Sequence, residues 1–410
     1  MVTESCPEKE STGTDRARPR VAIVVSNPIQ HFCPFYRAIA ASGQVELRVV
    51  FLSPRGSVPF FDPQFGRTIQ WQSDLLAGFD YRFLAKADPE TRTDRRWALR
   101  QLAPVLRDFQ PEILVNYGFY TPLARDAFAW AIFHRRKILY ISDSPDQRRG
   151  NPWQRFRRRM LLSILFRSMD GYLAAGDSNR RFYRKFGVRD NAIFYCPFTV
   201  DEGPLREAAR CRTAHRRALL DRYRMPDDSF VVLFVGKLGP HKRPADLLLG
   251  MRLILDRGVR HIHLMLAGDG PEEPALRSMA ADMCSHVHFA GFVPVADLPG
   301  YLAGADLLAQ PSEIDHHPLA ISEALYCGLP ILASEAVGSI GFEDDVQPGV
   351  NGFCFPVGDV RAIADSILRL AFDQDLHQRC ANASLSISRL RSVQTSVAGF
   401  LAAVHHLTRN

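Results

Sequence analysis

Segment 311–330 reads Pro-Ser-Glu-Ile-Asp-His-His-Pro-Leu-Ala-Ile-Ser-Glu-Ala-Leu-Tyr-Cys-Gly-Leu-Pro and sets two carboxylates at one helix mouth. Asp315 falls in a loop. Glu323 falls eight positions later, on the first turns of a helix expected to start near Pro318. Carboxylates accept hydrogen bonds from paired hydroxyls. The free N–H groups of the same helix end suit an anion. Upstream, Gly236-Lys237-Leu238-Gly239-Pro240-His241-Lys242 delivers two lysines straight after a strand-like run. Sugar hydroxyls and a phosphate fit such a pocket together, which is the ligand chemistry of a nucleotide sugar.

These residues need a scaffold, and the chain alternates short apolar runs with longer amphipathic segments. Strands are expected over 21–26, 45–52, 113–116, 137–141 and 171–175, with helices over 32–41, 122–134, 153–168 and 178–186. Stretch 197–228 is rich in charge and breaks the rhythm, so the connection between two domains is expected near Thr199. The rhythm restarts with strands over 230–235, 262–267, 287–290, 307–310, 331–333 and 353–356. Helices are expected over 244–255, 273–283, 298–303, 319–326, 360–371 and 376–387. Such βαβ order implies parallel sheets covered by helices. In such sheets, ligand sites lie beyond the carboxyl ends of strands. A chain of 410 residues exceeds one ordinary core, which agrees with two domains and a cleft between them.

Lys and Arg number 51 against 44 acids, a net charge of +7. The excess is concentrated. Arg148, Arg149, Arg155, Arg157, Arg158, Arg159 and Arg167 crowd one segment, and Arg180, Arg181, Arg184 and Lys185 follow. An anionic membrane surface comes ahead of nucleic acid as the partner of this band, because no nucleic-acid motif accompanies it, and a merely solvated helix face is the rival reading. The eight cysteines are scattered without a C-x-x-C pair, so neither a zinc site nor a disulfide framework is expected. Buried thiols in a reducing cytoplasm are. Residues 1–19 read as a disordered polar tail and not as a secretory signal. No run approaches membrane-spanning length, so any membrane association would be peripheral, on the inner face.

Other strand ends carry weaker signals. Ala267-Gly268-Asp269-Gly270-Pro271 ends a strand in an Asp-Gly turn, where Asp269 either contacts a ligand or shapes the turn. Gly291-Phe292-Val293-Pro294 ends another, with backbone groups placed to read a base edge. In the first half, Ser26-Asn27-Pro28-Ile29-Gln30-His31-Phe32 follows the first strand. Asn116 with Tyr117 and Gly118 ends a later one, and Ser142 with Asp143 the next. His31, Asn116 and Asp143 are acceptor-side candidates, each with a packing or capping role as the rival reading. Phe60, Phe61 and Trp71 are aromatic enough to wall an acceptor groove. No Asp-x-Asp metal motif and no Ser-His-Asp constellation emerges. No Gly-x-Gly-x-x-Gly follows the first strand, which disfavours a dehydrogenase.

Taken in order, Gly-Lys-Leu-x3-Lys, Ala-Gly-Asp-Gly-Pro, Phe-x-Gly-Phe-Val-Pro, Ala-Asp-Leu-Leu-x-Gln-Pro-Ser, Asp-x7-Glu-Ala-Leu-x-Cys-Gly-Leu-Pro and Gly-x-Asn-Gly-Phe closely resemble the donor domain of family-4 glycosyltransferases. The likeness runs from Phe230 to roughly Leu390. It implies the GT-B fold, two Rossmann-like domains with parallel sheets facing across a cleft. Residues 20–198 would form the acceptor side and 199–390 the donor side, with 391–410 a helix packing back on the first domain. Lys237, standing where the family usually has Arg, and Lys242 would bind the diphosphate. Glu323 would hold the ribose and Asp315 the transferred sugar. The backbone of 316–319, including His317 and Leu319, would approach phosphate and sugar. Asp315 is one methylene shorter than the family's Glu, and His316 and His317 replace glycine-bearing positions. The resemblance implies a retaining, metal-independent sugar transfer from a nucleotide-diphosphate sugar to a hydroxyl of a glycan or lipid-linked acceptor, with no cofactor. A donor phosphate oxygen would take the acceptor's proton. Alternatives are a nucleotide-sugar epimerase of the same fold and a non-catalytic nucleotide-sugar binder.

Overall fold

The structure is a computed structural model that describes residues 18–62, 67–69, 74–88, 92–142 and 151–409. Its strands are β1 (Arg20–Val25), β2 (Glu46–Phe51), β3 (Phe60–Asp62), β4 (Arg67–Ile69), β5 (Asp80–Phe83), β6 (Ile113–Tyr117), β7 (Lys137–Ile141), β8 (Gly171–Ala174) and β9 (Ile193–Tyr195) in the first half. The second half has β10 (Phe230–Val235), β11 (Ile262–Ala267), β12 (Val287–Gly291), β13 (Leu307–Gln310), β14 (Ile331–Ser334) and β15 (Gly352–Phe355). They form two wholly parallel sheets, ordered β5-β2-β1-β6-β7-β8-β9 and β12-β11-β10-β13-β14-β15, and a small β3-β4 hairpin. This is the GT-B fold.

Central strands with helices on both faces read as continuous apolar runs. Val231, Val232, Leu233 and Phe234 of β10 are fully buried. Their side chains alternate between two cores. Val231 and Leu233 pack with Ile321 and Leu325 of the Leu319–Tyr326 helix. Val232 and Phe234 pack with Leu247, Leu248 and Met251 of the Pro244–Asp256 helix. The two segments that carry the candidate chemistry therefore cover opposite faces of one sheet and meet at its carboxyl edge.

Strand order reverses between β1 and β6 in the first sheet and between β10 and β13 in the second. At each reversal the flanking loops turn to opposite faces and leave a crevice between them. The lysine segment leaves β10 and the two-carboxylate segment leaves β13, so both motifs flank the second reversal.

The charge-rich stretch after 197 is not a loose connection. It holds helices Glu202–Arg210 and Arg212–Tyr223, which bury Leu205, Ala208, Leu219 and Leu220 against the second core. Near the crossing between the halves, the Thr199 hydroxyl donates to the His31 carbonyl at 2.9 Å. The final helix, Val393–Arg409, returns to the first sheet, where Phe400 meets Phe35 edge-on at 5.8 Å. A side chain at Gly399 would collide with the Tyr195 carbonyl. No described helix is long and apolar enough to cross a membrane.

Candidate functional site

Backbone bonds lace together the loops that leave β10, β11 and β12. Gly236 N–H donates to Ala267 O at 3.0 Å, Leu238 N–H to Asp269 O at 2.9 Å and Gly268 N–H to Gly291 O at 2.8 Å. A Cβ at Gly268 would strike the Gly236 carbonyl, so the sequence Ala-Gly-Asp-Gly permits an approach that other residues would block. Asp269 shapes this junction through its carbonyl, and half-buried Phe292 stands at its rim. On the other side, Gly338 N–H donates to Asp315 O at 2.8 Å, and a Cβ there would strike the His316 carbonyl. The loop bearing Asp315 is thus clamped from behind.

Lys242 and Asp315 pair directly across the crevice, their side chains 19 % and 11 % exposed. An ammonium has three donors and no acceptor, so this pairing leaves two for further oxygens. Glu313, two positions before Asp315, pairs instead with Arg243 at 3.3 Å and is half exposed. Half-buried Lys237 follows Gly236 at the same edge.

Glu323 behaves differently. Its helix has Pro318 at the N-cap and no side-chain cap, so no N-cap side chain satisfies the N–H groups of the turn that Leu319 opens, and Ile321 N–H donates to Pro318 O at 3.0 Å. No hydrogen bond or ion pair to the Glu323 carboxylate occurs among the described residues. Enclosure raises its pKa from 4.5 to about 8, because burial penalises the charged form. Half-buried and unpartnered, it can accept from a ligand's hydroxyls.

His317 serves the scaffold with its side chain. Its Nε2 lies 3.2 Å from the Ser322 hydroxyl and 3.4 Å from the Asp345 carboxylate, and Phe198 of the first half meets its ring edge-on at 4.9 Å. Asp345 is wholly buried and pairs with Arg391. Arg391 also donates to Tyr195 Oη at 3.1 Å, Glu343 O at 2.9 Å and Ala175 O at 2.9 Å. One guanidinium therefore ties the Asp345 segment to the ends of β8 and β9. Asp345 and Arg391 lie far apart in sequence, and no local pattern marks them; only the fold brings them together.

In the first half, a pocket of about 150 Å³ sits at the β1/β6 reversal, lined by Ser26, Asn27, Phe32, Tyr36, Tyr117 and Thr121 among others. His31 stands on the turn beside it, close enough to His317 to feel its charge. Burial, and secondarily that neighbour, lower the His31 pKa from 6.5 to about 3. The imidazole is neutral at physiological pH and weakly basic. Asn116 is fully enclosed and donates to Gly118 O at 3.1 Å. It holds the turn after β6 and exposes no surface, which is the packing role that rivals the acceptor-side reading. Asp143 and Trp71 lie outside the described residues, as do Arg148 and Arg149.

Residues 216–386 match the family described as Glycosyl transferases group 1. The chain is similar to alpha-D-kanosaminyltransferase of Streptomyces kanamyceticus, 27 % identical over 170 residues, which are 41 % of this chain and 43 % of that protein. It is also similar to a GDP-mannose-dependent alpha-(1-6)-phosphatidylinositol monomannoside mannosyltransferase of Mycobacterium tuberculosis, 28 % identical over 226 residues, 52 % of this chain and 56 % of that one. The matches thus span about half the length of these curated relatives. In three dimensions, Anabaena HepE, solved with UDP and glucose, superposes with a TM-score of 0.67 at 17 % identity, covering 94 % of this chain and 99 % of that one. At that identity the likeness concerns the fold.

Proposed function

We propose that this protein is a retaining glycosyltransferase that moves a sugar from a nucleotide-diphosphate sugar to an acceptor hydroxyl, in the synthesis of a bacterial surface polysaccharide or glycolipid. The observation that carries the reading is the convergence, at one strand-order reversal, of an unpartnered carboxylate (Glu323), an uncapped helix end and the Lys242–Asp315 pair. Glu323 accepts from the ribose hydroxyls. Lys237, Lys242 and the N–H groups at Leu319 stabilise the departing diphosphate as its charge develops. Asp315, oriented by Lys242, accepts from hydroxyls of the transferred sugar. The acceptor enters from the pocket at the first reversal, beside His31. A donor phosphate oxygen on the acceptor's side of the sugar takes the acceptor's proton as the new bond forms on the same face. Domain closure excludes water and limits hydrolysis.

The test is product analysis with a panel of nucleotide-diphosphate sugars, with and without acceptor alcohols. The expected result is a glycoside with the donor's anomeric configuration, read from the anomeric proton coupling, at a rate unchanged by chelator. A free epimeric sugar from donor alone would favour an epimerase. Tight donor binding with no product across the panel would favour a binding protein.

A further inference from the structure

The helix Pro152–Arg167 is apolar on two opposite sides. Leu162 and Phe166 are buried against the first sheet. On the far side Trp153, Phe156, Met160 and Ile164 recur at helical spacing as one stripe, and Leu161 borders it. All five are exposed, from 52 % for Met160 to 64 % for Trp153. The Trp153 and Phe156 rings lie nearly parallel with centroids 5.9 Å apart. A helix that is hydrophobic all round is ordinarily covered on all sides, and a contiguous exposed patch of this kind marks an interaction surface.

The charges on the helix identify what covers it. It contains no acid. Arg155, Arg157, Arg159 and Arg167 are exposed, and none meets an acidic partner among the described residues. Arg157 and Arg167 fall within the apolar stripe, where long stems can lie along the hydrocarbon boundary while the guanidinium reaches outward. The other half of the basic band differs. Arg180 pairs with Glu343 at 3.0 Å, Arg184 pairs with Asp190, and Arg181 reaches the Ile340 carbonyl at 3.5 Å. Arg180 and Arg181 thus serve the junction between the halves, and Arg184 is paired within the first half. A second copy of the chain docking on the helix face would set arginine against arginine.

We propose that the Trp153–Ile164 face of this helix is a docking surface for an anionic lipid bilayer. Trp153 and Phe156 enter the interface between headgroup and acyl chain, and the arginines bind anionic headgroups. The helix follows β7 and begins at the sheet's carboxyl edge, the edge that holds the acceptor-side pocket. Docking would therefore turn the cleft mouth toward the lipid, and its purpose, delivery of a membrane-bound acceptor, rests on the transferase reading above.

The experiment is co-sedimentation of the full chain with vesicles of phosphatidylcholine alone or with phosphatidylglycerol added, at low and high salt. Alongside run the variants Trp153→Ser/Phe156→Ser and Arg157→Gln/Arg167→Gln. The expected result is binding to the anionic vesicles only, weakened by salt. The arginine variant should lose roughly thirtyfold in partitioning. The aromatic variant should lose binding even at low salt. Both variants should keep the wild-type thermal response to nucleoside diphosphates. Absence of anionic-vesicle binding by the wild type, or unchanged binding by the aromatic variant, overturns the proposal. So does a concentration-dependent dimer that Trp153→Ser/Phe156→Ser abolishes. Vesicle binding without any nucleotide response would instead count against the transferase reading alone.

Discussion

Lys242 and Asp315 neutralise one another across the β10/β13 reversal, although they lie on loops from different strands. The pair fixes both groups before any ligand arrives. It also makes their roles inseparable, because removing either leaves the other enclosed and uncompensated.

Lys242→Ala should therefore act twice. Loss of one electrostatic donor to the leaving diphosphate should lower kcat/KM by roughly 10²–10³. The stranded Asp315 carboxylate should cost about 1–3 kcal/mol of stability. Steady-state kinetics and urea melts measure the two effects separately. A variant that is destabilised yet turns over normally would remove Lys242 from the chemistry.

Much of this geometry is legible in the sequence, for identifiable reasons. The bounds of β10, β11, β13 and the Leu319–Tyr326 helix coincide with the expected ones, because mainly apolar runs end there at or near Gly or Pro. The edge strand β5 is harder to see: Asp-Tyr-Arg-Phe is short and has no fully buried position. Helices 202–210 and 212–223 are masked by their own charge, since they bury narrow stripes and turn arginines outward. Lys242, Asp315 and Glu323 could be assigned to one site because loops following parallel strands share an edge. The His317–Asp345–Arg391 connection could not, because nothing in a one-dimensional pattern places residue 391 beside residue 345.

Glu323 should give the protein a characteristic pH dependence. Its folded pKa, about 8, lies above the ordinary 4.5. Between these values the folded state holds a proton that the unfolded state has released, so this group's contribution lowers stability as pH rises through the window. Glu323→Gln should flatten that slope. Ligand hydroxyls donate to the ionised form, so nucleotide binding at pH 7 should release protons and tighten toward pH 8. Calorimetry in buffers of different ionisation enthalpy measures the release. Binding with no proton exchange would mean that Glu323 does not meet the ligand as a carboxylate.

Gly338→Ala tests the clamp behind Asp315. The added methyl must displace the His316 carbonyl, at a cost of about 1–3 kcal/mol. The displacement should raise the donor KM several-fold more than it lowers kcat. An unchanged donor KM in a folded variant would show that the 315–316 loop does not position the donor.

Arg391→Ala should leave wholly buried Asp345 without its cation and cut the ties to Tyr195 and Ala175. The expected loss is about 3–5 kcal/mol. Arg391→Lys should recover little of it, because a single ammonium cannot reproduce the fork of donors. Chemical denaturation reads both variants, and a near-wild-type midpoint for either would show that the halves are held together by other contacts.

The most direct test of the donor site is a thermal-shift titration with the common nucleoside diphosphates and their sugars, run on wild type, Lys242→Ala and Glu323→Gln. At least one nucleotide should stabilise the wild type in proportion to the logarithm of its concentration, by about 2.7 kcal/mol at a hundredfold excess over Kd. Both variants should lose most of that response. No stabilisation by any nucleotide, or an undiminished response in Lys242→Ala, would contradict the assignment of the β10/β13 crevice.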